Sequence, residues 1–175
     1  MRLMSRAALV LAASLVAVPA YAQAKFSISA GAAVPIGSTA DGANVGYNVT
    51  GSVGFQPPLA PLGLRVDGMF NSMEFKAPLS GASFRTLAGT ANLVLSGAGM
   101  PIPMGYLIGG VGMYNSKATG SGITSDSNTD VGFNIGAGIK FPLTGFSTFL
   151  EARLHFVNTE GESTKFIPIT FGLTF

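Results

Sequence analysis

The sequence predicts an all-β fold: an eight-stranded antiparallel up-and-down transmembrane β-barrel preceded by a cleaved signal peptide. Three observations predict it. Apolar and polar residues alternate with period two across the chain after about residue 25, the signature of strands with two different faces. Only 10% of residues are charged while 47% are hydrophobic, against about 25% charged in an ordinary soluble domain. Yet no stretch after residue 22 reads as a membrane helix. The best candidate, Thr86 to Ser116, has no charged residue but holds Gly97, Gly99, Pro101, Pro103, Gly109 and Gly110. Inside a helix each Pro costs about 3 kcal/mol and each Gly about 1 kcal/mol, so two strands joined by a Pro/Gly turn fit that stretch better.

The first 22 residues stand apart. Arg2 and Arg6 precede the uncharged run Ala7 to Val18, and Pro19-Ala20-Tyr21-Ala22 follows. A basic start, a short apolar core and a small-residue A-x-A site describe a secretory signal, with cleavage expected after Ala22. The run is too short to span a bilayer as a helix. The expected division is therefore 1–22 as signal peptide and 23–175 as barrel. Losing Arg2 and Arg6 from ten basic residues leaves eight against eight acidic, and no basic face for nucleic acid is visible. Cysteine is absent, which excludes disulfides, thiolate metal sites, cysteine nucleophiles and an acylated lipoprotein anchor.

The strands follow in order. The first, about Lys25 to Pro35, sets Phe26, Ile28, Ala30, Ala32 and Val34 against Ser27, Ser29, Gly31 and Ala33. The second, about Val45 to Phe55, sets Val45, Tyr47, Val49, Val53 and Phe55 against Gly46, Asn48, Thr50, Ser52 and Gly54. Gln56 to Pro61 is too rich in proline to pair and turns the chain. The third, about Leu62 to Glu74, puts Leu62, Leu64, Val66 and Phe70 opposite Arg65, Asp67, Met69 and Asn71. The fourth, about Phe84 to Leu95, opposes Leu87, Ala91, Leu93 and Leu95 to Thr86, Thr90 and Asn92. In the fifth, about Met104 to Tyr114, the facing stays open: Tyr106, Ile108 and Tyr114 compete with Leu107, Val111 and Met113. The sixth, about Asp130 to Phe141, alternates cleanly from Val131 to Phe141, with Lys140 on the polar face. The seventh, about Phe146 to Val157, opposes Leu150, Ala152, Leu154 and Phe156 to Glu151, Arg153 and His155. The eighth is Ile167 to Phe175, with Ile167, Ile169, Phe171, Leu173 and Phe175 on one face.

Eight strands of about ten residues suit a membrane barrel, whose strands need about 9–11 residues at their usual tilt. Closure into a barrel also leaves no unpaired edge in lipid. The connections after strands one, three, five and seven (37–44, 75–83, 115–129 and 158–165) are polar and are expected as loops on one side. Those after strands two, four and six are rich in Pro and Gly. With both termini in the periplasm, the polar set faces outward.

The signal, the eight alternating strands and the terminal Phe175 together resemble the outer-membrane β-barrel family, in particular the transmembrane domain of outer membrane protein A and the small barrel OmpX. The segments Asn92 to Tyr114 and Phe149 to Phe156 resemble that group as well. The resemblance implies location in the bacterial outer membrane, lipid around the apolar face, and a monomer. It also implies that the alternating Phe171, Leu173 and Phe175 are read by the barrel-assembly machinery. The glycine at 172 departs from the commonest form of that signal, so only the alternation carries over.

Candidate polar residues lie on the inward face: Arg65, Asp67, Lys140, Glu151, Arg153 and His155. Strands three and seven are diametrically opposite in an eight-strand ring, so their charges can meet. An interior of this size is just wide enough for side chains to fill, and buried charges need partners. The expectation is a lumen charge network that plugs the barrel; a gate for small ions is the alternative. His155 is the sole histidine. It cannot form a metal site of typical spacing, and a hydrolase would need a serine and an acid beside it; Ser163 lies in the adjoining connection. Neither Gly97-Ala98-Gly99 nor Gly136-Ala137-Gly138 completes a nucleotide-binding pattern. No cofactor is expected. The 115–129 connection, with Asp126 inside it and Asp130 just after it, is the best candidate for surface binding, and its ligand is not legible. Function is thus read as a small non-enzymatic barrel with a structural or surface-interaction role. The rivals are a narrow channel, a lipid-modifying enzyme and a soluble lipocalin-like barrel. The last is disfavoured because the charges share one face with an apolar face opposite.

Overall fold

The computed structural model describes residues 24–57, 60–77, 81–97, 104–120, 123–124, 127–159 and 162–175. The expected signal and its cleavage point lie outside these residues. Eight long strands form: β1 (Lys25–Pro35), β2 (Gly46–Phe55), β3 (Leu62–Glu74), β4 (Ala82–Ser96), β5 (Gly105–Gly120), β6 (Asn128–Pro142), β7 (Ser147–Thr159) and β8 (Glu162–Thr174). A two-residue strand, Ile123–Thr124, pairs with the far end of β5. Each strand pairs antiparallel with its chain neighbour, and β1 pairs with β8, from Ser27↔Thr174 to Pro35↔Phe166. The sheet is a closed up-and-down barrel.

Closure follows from the alternation. Phe26, Ile28, Val53, Leu64, Val66, Leu87, Leu93, Val131, Ile135, Leu150, Ile169 and Phe171 are all exposed on the outer wall. Their polar neighbours Ser29, Asn48, Thr50, Asp67, Thr90, Asn92, Asn134, Glu151 and Thr170 are buried inside. An apolar outside and a polar inside is the inverse of a soluble barrel, and it is stable only where the surrounding solvent is hydrocarbon. The open question on β5 resolves: Tyr106, Ile108 and Tyr114 are buried inside, while Leu107, Val111 and Met113 point out.

Inward glycines make room for these rings. A Cβ on Gly138 would overlap the Tyr106 ring, one on Gly132 would press on the Tyr114 ring, and one on Gly136 would meet the Arg153 side chain. Gly172, the residue that breaks the usual terminal pattern, likewise cradles the Phe149 ring. The strand glycines therefore serve close packing across the lumen.

Two expected loops are corrected. β5 continues to Gly120 and β6 begins at Asn128, so much of 115–129 is paired hairpin, through Asn115↔Thr129 and Ser116↔Asn128. The 158–165 connection is hairpin too, paired through Asn158↔Ser163 to Thr159↔Glu162. Both segments are polar on both faces, so hydrophobic alternation is blind to them; backbone pairing needs no such pattern. In the 37–44 connection a short helix, α1 (Ser38–Gly42), docks on the rim. Lys76 Nζ donates to the Ala40 carbonyl at 2.6 Å, and the Lys165 amide donates to Thr39 Oγ1 at 3.0 Å.

One internal seam is imperfect. The β7–β8 ladder runs to Ala152↔Ile169 and resumes at His155↔Phe166. Between them sits Pro168, which has no N–H to donate.

Candidate functional site

The lumen is the only place where charge is buried among the described residues, and it is layered from the end holding both termini to the far end. The middle layer comes from β3 and β7, which face each other across the barrel. Arg65, Asp67, Glu151 and Arg153 form it. Arg153 Nη1 donates to Asp67 Oδ2 at 2.6 Å, and its Nη2 donates to Glu151 Oε1 at 2.7 Å. Arg65 Nη2 reaches Glu151 Oε2 at 2.8 Å, and Arg65 Nε lies 2.9 Å from Asp67 Oδ1. That last contact is an ion pair only, because its angle is not that of a hydrogen bond. Two guanidiniums and two carboxylates give a neutral cluster.

Neutral side chains complete it. Tyr106 Oη donates to Glu151 Oε2 at 2.7 Å, and Asn92 Nδ2 donates to Asp67 Oδ2 at 3.0 Å. Asn134 Nδ2 in turn donates to Asn92 Oδ1 at 2.9 Å. Multiple donors to each carboxylate are what makes burial of the charges tolerable, since their desolvation costs several kcal/mol per ion. Tyr106, Asn92 and Asn134 lie outside the six-residue set expected from sequence. Sharing a parity with inward Arg65 or Glu151 is the available signal for them, and on β5 that parity is ambiguous.

Lys140 and His155 do not join the cluster, contrary to the expected six-residue set. Lys140 lies toward the end with the termini, half-buried beside a cavity. His155 lies toward the far end. Its Nδ1 is 2.8 Å from Tyr114 Oη, and its ring stacks on Phe166 with centroids 5.0 Å apart. The inward neighbour of His155 is the buried Val157. Ser163 pairs with Asn158 instead, so the contacts of His155 are a tyrosine and a phenylalanine rather than a serine and an acid. Asp130 is held by Asn128 Nδ2 at 2.9 Å, and Asp126 lies outside the described residues.

The far layer is one that sequence reasoning misses. Ala33, Ala43, Met69, Met73, Ala88, Tyr114, Val157 and Phe166 form one buried apolar cluster with Phe84 packed against it. Tyr114, Met73 and Phe166 are fully buried. Above the charges, the lumen is thus filled by hydrocarbon and rings.

At the end with the termini, Phe171 and Phe175 are on the outer wall and Leu173 is half-buried there. The Phe175 amide donates to the Phe26 carbonyl at 2.8 Å, and its own carbonyl accepts from the Phe26 amide at 3.2 Å. Its ring sits 6.5 Å from that of Phe146. Even the last residue is therefore part of the sheet.

A closed barrel with apolar residues outside and a neutralised charge cluster inside defines a transmembrane β-barrel protein. The chain matches the outer membrane protein beta-barrel domain family over residues 8–175 and belongs to it. It is a protein of the bacterial outer membrane. Among solved structures it is similar to neisserial surface protein A, with a TM-score of 0.60 and 18% identity, covering 87% of this chain and 97% of that one. It is also similar to the attachment invasion locus protein Ail of Yersinia pestis in complex with the heparin analogue sucrose octasulfate. There the TM-score is 0.52 and identity 18%, over 87% of this chain and 99% of that one. A major outer membrane protein of Thermus thermophilus matches at TM-score 0.54 and 12% identity, over 87% and 98%. At these identities the likeness is one of fold. No sequence among the curated proteins matches the chain.

Proposed function

We propose that the protein is a small non-enzymatic barrel with a structural or surface-interaction role, carried by the hairpins at its far end. The filled lumen supports this reading most directly. The charge cluster and the apolar cluster stand in series, and a hydrated path would have to part both. The β1–β2 connection with α1 and the hairpins of β3–β4, β5–β6 and β7–β8, all at the far end, are the segments left for contact with the outside. Neisserial surface protein A and Ail carry surface roles in their names, and the fold is what they share with this chain. In this reading both termini are periplasmic, and residues 1–22 are removed on export.

The test is topology on intact cells. An epitope inserted between Gly120 and Ile123 should be labelled from outside, and one inserted in the 98–103 connection should not. The purified protein should begin at Gln23 by intact mass. The reverse labelling pattern would overturn the surface role. For the channel rival, planar bilayers should show no steady single-channel steps; regular steps would reinstate it.

The row Phe171, Leu173 and Phe175 is proposed as the signal read by the barrel-assembly machinery. Phe175→Ala, which keeps both backbone bonds to Phe26, should slow appearance of the heat-modifiable form in cells while the purified, refolded barrel keeps its urea midpoint. An equal loss in both settings would make the residue's role one of stability alone.

A further inference from the structure

The end of the lumen beside the chain termini holds a cavity of about 470 Å³. Arg65 and Tyr106 form its floor, where they already serve the charge cluster. Its walls are mainly apolar, with Phe149, Val94 and Met104 among them, interrupted by Ser27, Ser96 and Thr174. Two further cations line it, Lys25 and Lys140. Neither makes an ion pair among the described residues, and the described ion pairs are confined to Arg65, Asp67, Glu151 and Arg153.

The charge balance is one-sided. The cluster beneath is neutral, so Lys25 and Lys140 stand as two uncompensated positive charges. Lys140 feels Lys25 and Arg65 repulsively, and the one attractive group acting on it is Glu151, whose oxygens are already engaged by Arg65, Arg153 and Tyr106. Clefts lined by one sign of charge with low-dielectric walls concentrate counter-ions. Pockets of roughly 300–1,000 Å³ with apolar walls and a few placed polar groups are typical of small-molecule sites.

We propose that this vestibule binds an organic anion with an apolar body, its carboxylate or phosphate between Lys25 and Lys140 and its hydrocarbon or aryl part against Phe149 and Val94. The site is separate from the far-end hairpins and stands whether or not they carry a surface role. Its ligand enters from the side of the membrane that holds the termini, either as a soluble metabolite or as the headgroup of an anionic lipid of the facing leaflet.

Phenyl phosphate is the probe. Nitrogen-15-labelled full barrel, refolded in a neutral detergent at low salt, is titrated while the amides of Gly54, Gly63, Ser96 and Gly105 are followed. Saturable shifts confined to these amides are expected. The double variant Lys25→Gln/Lys140→Gln should bind at least tenfold more weakly, Lys140→Arg should retain binding, and benzyl alcohol should give no saturable shift. Heat modifiability on gels establishes that each variant is folded, and Lys25→Gln, at an exposed position, serves alone should the double variant not fold. Absence of saturable shifts, equal affinity in the charge-removing variant, or equal binding of benzyl alcohol would each overturn the proposal. Repeating the titration in nanodiscs containing phosphatidylglycerol separates the sources. Vestibule shifts before any probe is added point to lipid, and shifts only with phenyl phosphate point to a soluble anion.

Discussion

Replacing Asp67 by alanine is expected to destabilise the barrel by about 3–5 kcal/mol, the cost of breaking a buried ion pair by removing one partner. Asp67 is 2% exposed and accepts from Arg153, Asn92 and Arg65. Without it, two guanidiniums face one carboxylate, and Arg153 Nη1 loses its acceptor. Urea titration in lipid vesicles, followed by circular dichroism, reads the change. The informative comparison is Asp67→Ala/Arg153→Met, in which charge balance returns. That double variant should cost less than the sum of the two single changes. A loss below about 1 kcal/mol for Asp67→Ala would be the scale of an exposed pair, and would mean the cluster does not hold the lumen.

The adjacent residue gives the opposite test. Val66→Arg should cost about 2–4 kcal/mol in lipid, the penalty for a cation on the outer wall near the bilayer midplane. Val66 is 61% exposed and pairs with Val53 and Ala91, in the middle of the outer wall. On a water-facing wall the same substitution would fall within about 0.5 kcal/mol of neutral. Vesicle unfolding measures it, and a near-neutral result would contradict lipid contact at that position. Two neighbours in sequence thus fail for opposite reasons, one by losing a charge inside and the other by gaining one outside.

Much of this architecture is legible in the sequence because a barrel wall has two unlike solvents. Val66 and Asp67 differ because one meets lipid and the other meets Arg153, and period two records that difference directly. Where both faces meet water the record disappears, as in Asn115 to Gly120 and in Asn158, Thr159 and Glu162, which are strand yet carry no apolar alternation. The facing of β5 is hidden for another reason. Tyr106 and Tyr114 are large and amphipathic, so they suit either wall until Glu151 is seen to accept the hydroxyl of one and His155 Nδ1 to pair with that of the other. The apolar layer of Met69, Met73, Val157 and Phe166 sits at inward parity, where polar residues are expected. Its cause is three-dimensional: residues far apart in sequence come to one height only after eight strands are registered. Lys140 and His155 share the inward parity of the cluster but not its height, and parity carries no information about height.

The bonds between Phe26 and Phe175 place the first and last segments of the chain side by side. Such a ring cannot be completed while its final strand is still being made. The polypeptide must cross one membrane and the space beyond it with every other strand unclosed, and the closing contact joins residues at nearly the greatest separation the sequence allows. Contacts of that kind are slow to form because the whole intervening loop must be ordered first. Time spent open in transit is therefore built into the topology, and escorting the unfinished sheet is a requirement of the shape itself.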